Sequence, residues 1–152
     1  MKQTDNFKFD EANVMNELVY RNLSEDAKRQ ICAWKYGGEY DLYNLPSYEE
    51  MQVRQIGFMN PQREKNYYGF WDESILVGFV NILEEKEEVF IGIGVNPDLC
   101  NKHYGQRMLL ITYEISKKLY PNKPLYLEVR TWNIRAVKCY QKAGFRIDGQ
   151  AY

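Results

Sequence analysis

A chain of 152 residues, 45% apolar and 27% charged, is long enough to bury about 70% of its unfolded surface, so one core without disulfide staples is expected. Twenty basic and 21 acidic residues leave a net charge of -1, which gives no basic field to hold nucleic acid or an anionic membrane. Three well-separated cysteines and a single histidine rule out a Cys/His cluster at metal-ligand spacing, so no metal site is expected.

The opening stretch, MKQTDNFKFDEANV, lacks the apolar core of a signal peptide, and no apolar run nears the ~20 residues of a membrane span. A cytoplasmic protein with reduced thiols is the expectation. Residues 1–13 read as loose. NELVYRNL (16–23) predicts a first strand, and Ser24 followed by Glu25 and Asp26 predicts a capped helix running to about Trp34. The stretch from 35 to 60 is aromatic and irregular, with a second helix starting after Pro46-Ser47, where Glu49 and Glu50 suit a first turn. Three strands follow, NYYGFWD (66–72), ILVGFVNIL (75–83) and VFIGIGV (89–95), separated by turn-forming polar stretches. The third is nearly all apolar, as in a central strand covered on both faces.

After that strand the pattern becomes α/β. Tyr104, Met108, Ile111, Ile115 and Leu119 fall on one helical stripe, which Pro121 ends. PLYLEVRTW (124–132) alternates as a strand, Asn133 is a good cap for a helix that Gly144 terminates, and FRIDGQAY predicts a last strand. With no repeat, low-complexity segment or linker, residues 1–152 read as a single α/β (α+β) domain. Its mixed central sheet has antiparallel strands early, a late parallel pair and helices on both faces.

Two stretches carry chemistry. In GVNPDLCNKHYGQRM (94–108) a buried strand runs into a polar loop that opens a helix near Lys102, so unpaired N–H groups and the positive end of the helix dipole face the loop. That arrangement suits an anion. Gly105 would let a phosphate approach the backbone, with Lys102, His103 and Arg107 near enough to add charge or donors. A plain strand-loop-helix turn explains the segment equally well. In LYLEVRTWNIRAVKCYQKAGF (125–145), Asn133 caps the helix and could also offer its amide to a ligand, while Ala136 and Tyr140, four apart, share one helix face. The plainer alternative is a core tyrosine, a glycine cap and a buried strand start.

Together the two stretches resemble the GNAT superfamily of N-acetyltransferases over residues 88–146. The resemblance implies that Ile93, Gly94 and Val95, in the strand leading to the family's Val-x-Pro end, hold the pantetheine arm of acetyl-CoA. It implies that the loop Lys102, His103, Tyr104, Gly105, Gln106 and Arg107 holds the pyrophosphate. The loop departs from the family pattern twice, with Lys102 for Arg or Gln and Arg107 for a small residue. The second signature, Asn-x-x-Ala-x-x-x-Tyr followed by Gly-Phe, is matched in full by Asn133, Ala136, Tyr140, Gly144 and Phe145. By resemblance, Asn133 and Ala136 line the cofactor and Tyr140 stands near its sulfur as general acid. The implied reaction is acetyl transfer from acetyl-CoA to a primary amine by direct attack in a ternary complex, with no covalent enzyme intermediate.

The base is less defined. Val89 occupies the place where some members carry an acidic residue. Glu128 resembles the proposed base of members that acetylate the N-terminal alanine of a ribosomal protein, whereas an ion pair with Arg130 or a water-borne proton are the alternatives. His103 suits cofactor contact or exposure better than base catalysis, and Cys139 reads as a buried structural thiol. Trp34, Tyr36, Tyr40, Tyr43 and Tyr48 form either an aromatic acceptor gorge or a small core around the first two helices, so residues 24–60 read as the acceptor side. A non-catalytic CoA-binding or interaction module on the same fold is the competing function. The acceptor amine is not legible. A homodimer is one way to complete a short final strand.

Overall fold

The computed structural model describes residues 2–3 and 18–147, which build a seven-stranded sheet and four α-helices. The strands are β1 (Lys2–Gln3), β2 (Val19–Asn22), β3 (Tyr67–Asp72), β4 (Ile75–Glu84), β5 (Val89–Val95), β6 (Leu125–Tyr126) and β7 (Phe145–Arg146). The helices are α1 (Glu25–Ala33), α2 (Tyr48–Arg54), α3 (Tyr104–Leu119) and α4 (Ile134–Lys142). Sheet order is β2-β3-β4-β5-β6-β1-β7, antiparallel throughout except for β5 beside β6.

Local chemistry accounts for the helix starts. Ser24 Oγ accepts from the Ala27 N–H at 3.1 Å, and Ser47 Oγ accepts from the Glu50 N–H at 3.1 Å, each satisfying an orphan donor of a first turn. Asn133 Oδ1 does the same for the Ala136 N–H at 3.2 Å. At the other end of α4, Gly144 takes φ of 97°, a left-handed conformation that side chains resist.

Two apolar clusters lie on opposite faces of the sheet. Phe70, Val80, Ile82, Val89 and Ile91 pack with Met108, Leu109 and Ile115 of α3 and with Phe145. Trp71 and Leu76 pack with Ala27 and Ile31 of α1, Met51 of α2 and Phe58. A register shift between Phe70 and Trp71 lets Val77 stand as the extra residue on β4, which resets the alternation: Val77 joins Val80 and Ile82 in the first cluster and Leu76 turns to the second. Lys28 of α1 is 2% exposed, and its ammonium meets Glu64 at 2.8 Å and Glu25 at 3.2 Å.

The fold departs from the sequence reading at several places. Leu119 is 51% exposed, because the buried face of α3 runs through Met108, Leu109, Thr112, Ile115 and Ser116 instead of following the expected stripe to the end. The strand expected over 124–132 keeps its alternating burial through Leu125, Leu127 and Val129, yet the ladder with β5 ends after Phe90 and Tyr126. Periodicity records which side is buried, and hydrogen bonding is a separate matter. Beyond Tyr126 the chain leaves β5 and a gap opens between them. Of the segment expected to be loose, Lys2–Gln3 pairs with both β6 and β7, and the rest of it lies outside the described residues, as do residues 148–152 of the expected last strand. Among the described residues no helix is long and apolar enough to cross a membrane, and no three His, Cys, Asp or Glu side chains gather as metal ligands.

Candidate active site

The gap between β5 and residues 127–130 opens into a cavity of about 630 Å³. One wall is β5 itself. The Val89 N–H donates to the Pro124 carbonyl at 2.9 Å and the Asn96 N–H turns back to Val77 on the β4 side at 2.8 Å. Strand alternation then directs the backbone groups of odd-numbered residues away from β4, so the Ile93 and Val95 N–H groups face the gap where β6 no longer pairs. The Val95 carbonyl, on that same side, already accepts from the Tyr36 hydroxyl at 2.6 Å. Ile93, Gly94 and Val95 all line the cavity.

The opposite wall is α4. Asn133, Ala136, Cys139 and Tyr140 line the cavity from it, and Glu128 and Val129 line it from the strand exit. Burial, and then the neighbouring Cys139 and Tyr43, holds the Tyr140 phenol well above its usual range, so it stays protonated. Burial likewise pushes the Cys139 thiol up to about 11. The Asn133 amide is divided between two tasks, since Oδ1 caps α4 while Nδ2 donates to the Tyr43 hydroxyl at 3.1 Å. Glu128 is exposed to the cavity, and among the described residues no ion pair joins it to Arg130.

The end of the cavity is the loop into α3. Asn101 and His103 both take φ of 66°, unusual for residues with side chains, and they bracket Lys102 just before the helix start. His103, Tyr104, Gly105 and Gln106 line the cavity. Lys102 and Arg107 are not in its lining, and Arg107 instead lies 5.2 Å over the Tyr104 ring. Tyr104 itself donates to Asp72 at 2.6 Å, which fixes the first turn of α3 to the β3 end. Gly105 has a packing reason that its motif position does not reveal, because a Cβ there would meet Cys139 Sγ at 3.0 Å. Its bare Cα is what brings α3 against α4.

The aromatic residues divide between the two expected roles. Trp34, Tyr36, Tyr40 and Tyr43 line the cavity, whereas Tyr48 is buried against α1 and bonds to Glu25. The 3-10 helix Gly38–Tyr43 lies over the start of α4, with Tyr40 and Tyr43 at 5.7 and 6.4 Å from the Trp132 ring and the Arg135 guanidinium 4.3 Å over Tyr40. The sequence reading missed Tyr67, Phe79 and Asn81 on the sheet floor, and Arg135, Lys138 and Lys142 on α4. A signal existed for some of these. Lys138 and Lys142 stand four apart on the helix that carries Tyr140, and Asn81 is an amide inside an otherwise apolar strand.

The acetyltransferase (GNAT) family model matches residues 28–145. A search of curated proteins gave no match. Among solved structures, a spermidine N-acetyltransferase SpeG chimera from Vibrio cholerae and hSSAT is 20% identical, with 88% of this chain and 82% of that one covered and a TM-score of 0.72. A GNAT-family acetyltransferase from Bacillus anthracis is 17% identical over 98% and 86% of the two chains, also at 0.72. The PaiA N-acetyltransferase of Thermoplasma acidophilum, solved with coenzyme A, is 19% identical over 87% and 91%, at 0.62. These likenesses show a shared fold. By its sequence the chain belongs to the acetyltransferase (GNAT) family.

Proposed function

We propose that this chain transfers the acetyl group of acetyl-CoA to a primary amine by direct attack in a ternary complex. The observation that carries the reading is geometric: the Tyr140 phenol lines the same cavity onto which the Ile93 and Val95 N–H groups, directed away from β4, open.

The residues present fit acetyl-CoA along the length of the cavity. With the β6 ladder ended at Phe90 and Tyr126, the remaining edge of β5 is unpaired, and a pantetheine arm can continue it. The α3 start, whose first-turn N–H groups have no partner within the helix, suits the pyrophosphate, and Lys138 and Lys142 supply cations on the facing helix. When bound, acetyl-CoA supplies the acyl group and a thiolate leaving group.

The protein then has three tasks. A neutral amine forms the new N–C bond as the C–S bond breaks, and the Val95 N–H is placed to stabilise the negative charge that grows on the carbonyl oxygen. Glu128 takes the proton that the amine nitrogen releases, directly or through water. Tyr140 donates to the departing sulfur. Because a thiolate leaves readily, the last task calls for the lower end of the ~10²–10⁴-fold range of general acid catalysis.

The competing reading, a CoA-binding module without turnover, is favoured by one observation: Lys102 and Arg107, the two departures in the phosphate loop, both lie off the cavity lining. Thiol release from acetyl-CoA across a panel of primary amines separates the two. Turnover in the wild type, lost about 10²-fold in Tyr140→Phe with acetyl-CoA binding retained, is the expected result. Equal rates in the variant would remove Tyr140 from its role, and binding without turnover for every amine would leave the binding module.

A further inference from the structure

One group in the cavity wall has no part in the chemistry above. Asn81 stands on β4 between Tyr67 of β3 and Gly92 of β5, and strand alternation places it on the same face as Phe79. That face forms the floor of the cavity. The Asn81 Oδ1 atom is buried and has no hydrogen-bond partner. Among the described residues one other side-chain oxygen shares that condition, Ser116 Oγ, and it belongs to α3 outside the cavity lining. Native proteins seldom leave a buried carbonyl unpaired, so an orphan acceptor in a cavity wall points to a donor that arrives with a ligand.

The surroundings define that donor. A Cβ built on Gly92 would sit 3.6 Å from the Asn81 Cβ, so the glycine leaves room beside the amide. Tyr67 and Phe79 stack with ring centroids 6.5 Å apart, and Trp34 lies 6.3 Å from Phe79. Among the described residues lining the cavity, Glu128 alone carries a carboxylate, whereas Arg135, Lys138 and Lys142 bring positive charge from α4.

We infer that Asn81 Oδ1 accepts an N–H of the acceptor, and that the acceptor is a monoamine on an apolar or aromatic body. An uncharged amide suits the neutral amine that must attack, and the rings offer flat apolar faces to the rest of the molecule. A polyamine fits this cavity poorly. Each further ammonium it buried would need its own carboxylate, and an unpaired charge out of water is strongly unfavourable. The inference rests on the acetyltransferase reading and specifies its substrate.

Steady-state kinetics with 2-phenylethylamine and with spermidine test it, using wild type, Asn81→Leu and Asn81→Asp, beside an acetyl-CoA titration and a thermal melt of each. The wild type should prefer 2-phenylethylamine by about tenfold or more in kcat/KM. Asn81→Leu should raise the KM for that amine about tenfold, with acetyl-CoA affinity and melting temperature held, since leucine removes an unpaired polar group without opening a hole. Asn81→Asp should shift preference toward spermidine. Should leucine prevent folding, Asn81→Ala serves for the same KM comparison. An unchanged KM, a loss confined to acetyl-CoA affinity, or a wild-type preference for spermidine overturns the Asn81 assignment and leaves the acetyltransferase reading standing. Absence of turnover with every amine overturns both.

Discussion

Tyr140 and Cys139 are neighbours in sequence with different duties. The phenol faces the cavity and keeps its proton, while the thiol fills the space that Gly105 leaves between α3 and α4. With its pKa pushed up to about 11 by burial, Cys139 carries almost no thiolate near neutral pH, and thiolate is the reactive form. Alkylation by iodoacetamide at pH 8 should therefore be much slower at Cys139 than at a free cysteine, as read by peptide mass mapping. Fast modification there would mean that the α3–α4 contact opens. At this scale the sequence was informative where one residue does one job. The Asn133 cap, the Gly144 terminus and the sharing of one α4 face by Ala136 and Tyr140 follow from spacing, whereas that this face lines a cavity was implied only by the family resemblance. Gly105 was legible as a glycine that must stay small, yet its neighbour is a cysteine 34 positions away in sequence, which no local pattern reveals.

Elements show where local patterns end and tertiary pairing decides. The helices α1 and α2 begin where Ser24 and Ser47 predict, because a cap is settled within three residues. Ser24→Ala should lower stability by about 1 kcal/mol in urea unfolding, with no change in acetyl-CoA affinity. The Lys28 ammonium on the same helix is harder to replace. Burial alone would lower its pKa, and hydrogen bonds to Glu64 and Glu25 outweigh that effect and raise it. Both carboxylates are half-exposed or more, so Glu64→Gln should cost only about 1 kcal/mol, while losing both partners should cost clearly more than the sum of the single losses. Gly105→Ala tests the α3–α4 contact. Its methyl would press on Cys139, and a loss of about 1 to 3 kcal/mol together with weaker acetyl-CoA binding is expected. The end of the β5–β6 ladder after Tyr126 was not readable. LYLEVR alternates whether or not a partner strand is present, and only the partner's departure creates the gap that opens into the cavity.

The described residues form a sheet with an apolar cluster on each face and an opening along its parallel pair. The strand succession and the mixed pairing were legible from periodicity, whereas the insertion of β1 between β6 and β7 was not, since a two-residue strand carries no pattern. The same burial that builds the cavity sets how stability responds to pH. Cys32, Cys100, Cys139, Tyr36, Tyr67 and Tyr140 all have their pKa raised by burial, so the folded chain keeps them neutral after the unfolded chain has begun to ionise them. Their contribution is fully present below about pH 9, the ordinary thiol range, and is lost as pH rises toward 11. On the acid side, hydrogen bonds from Tyr48 and Lys28 hold the Glu25 carboxyl below its usual range, so that contribution fades as pH falls through it. Denaturant midpoints should accordingly be level near neutrality and drop on the alkaline side. A midpoint that rises between pH 9 and 11 would contradict the burial assigned to these groups.

The central claim is that the opening beside β5 is an acetyl-CoA site. The most direct measurement is a calorimetric titration of the whole chain with acetyl-CoA, beside CoA and a dephosphorylated nucleotide control. Saturable binding at micromolar concentration that depends on both the pyrophosphate and the pantetheine arm is the predicted result. No binding at millimolar acetyl-CoA would contradict the claim and leave the family's fold here without its cofactor.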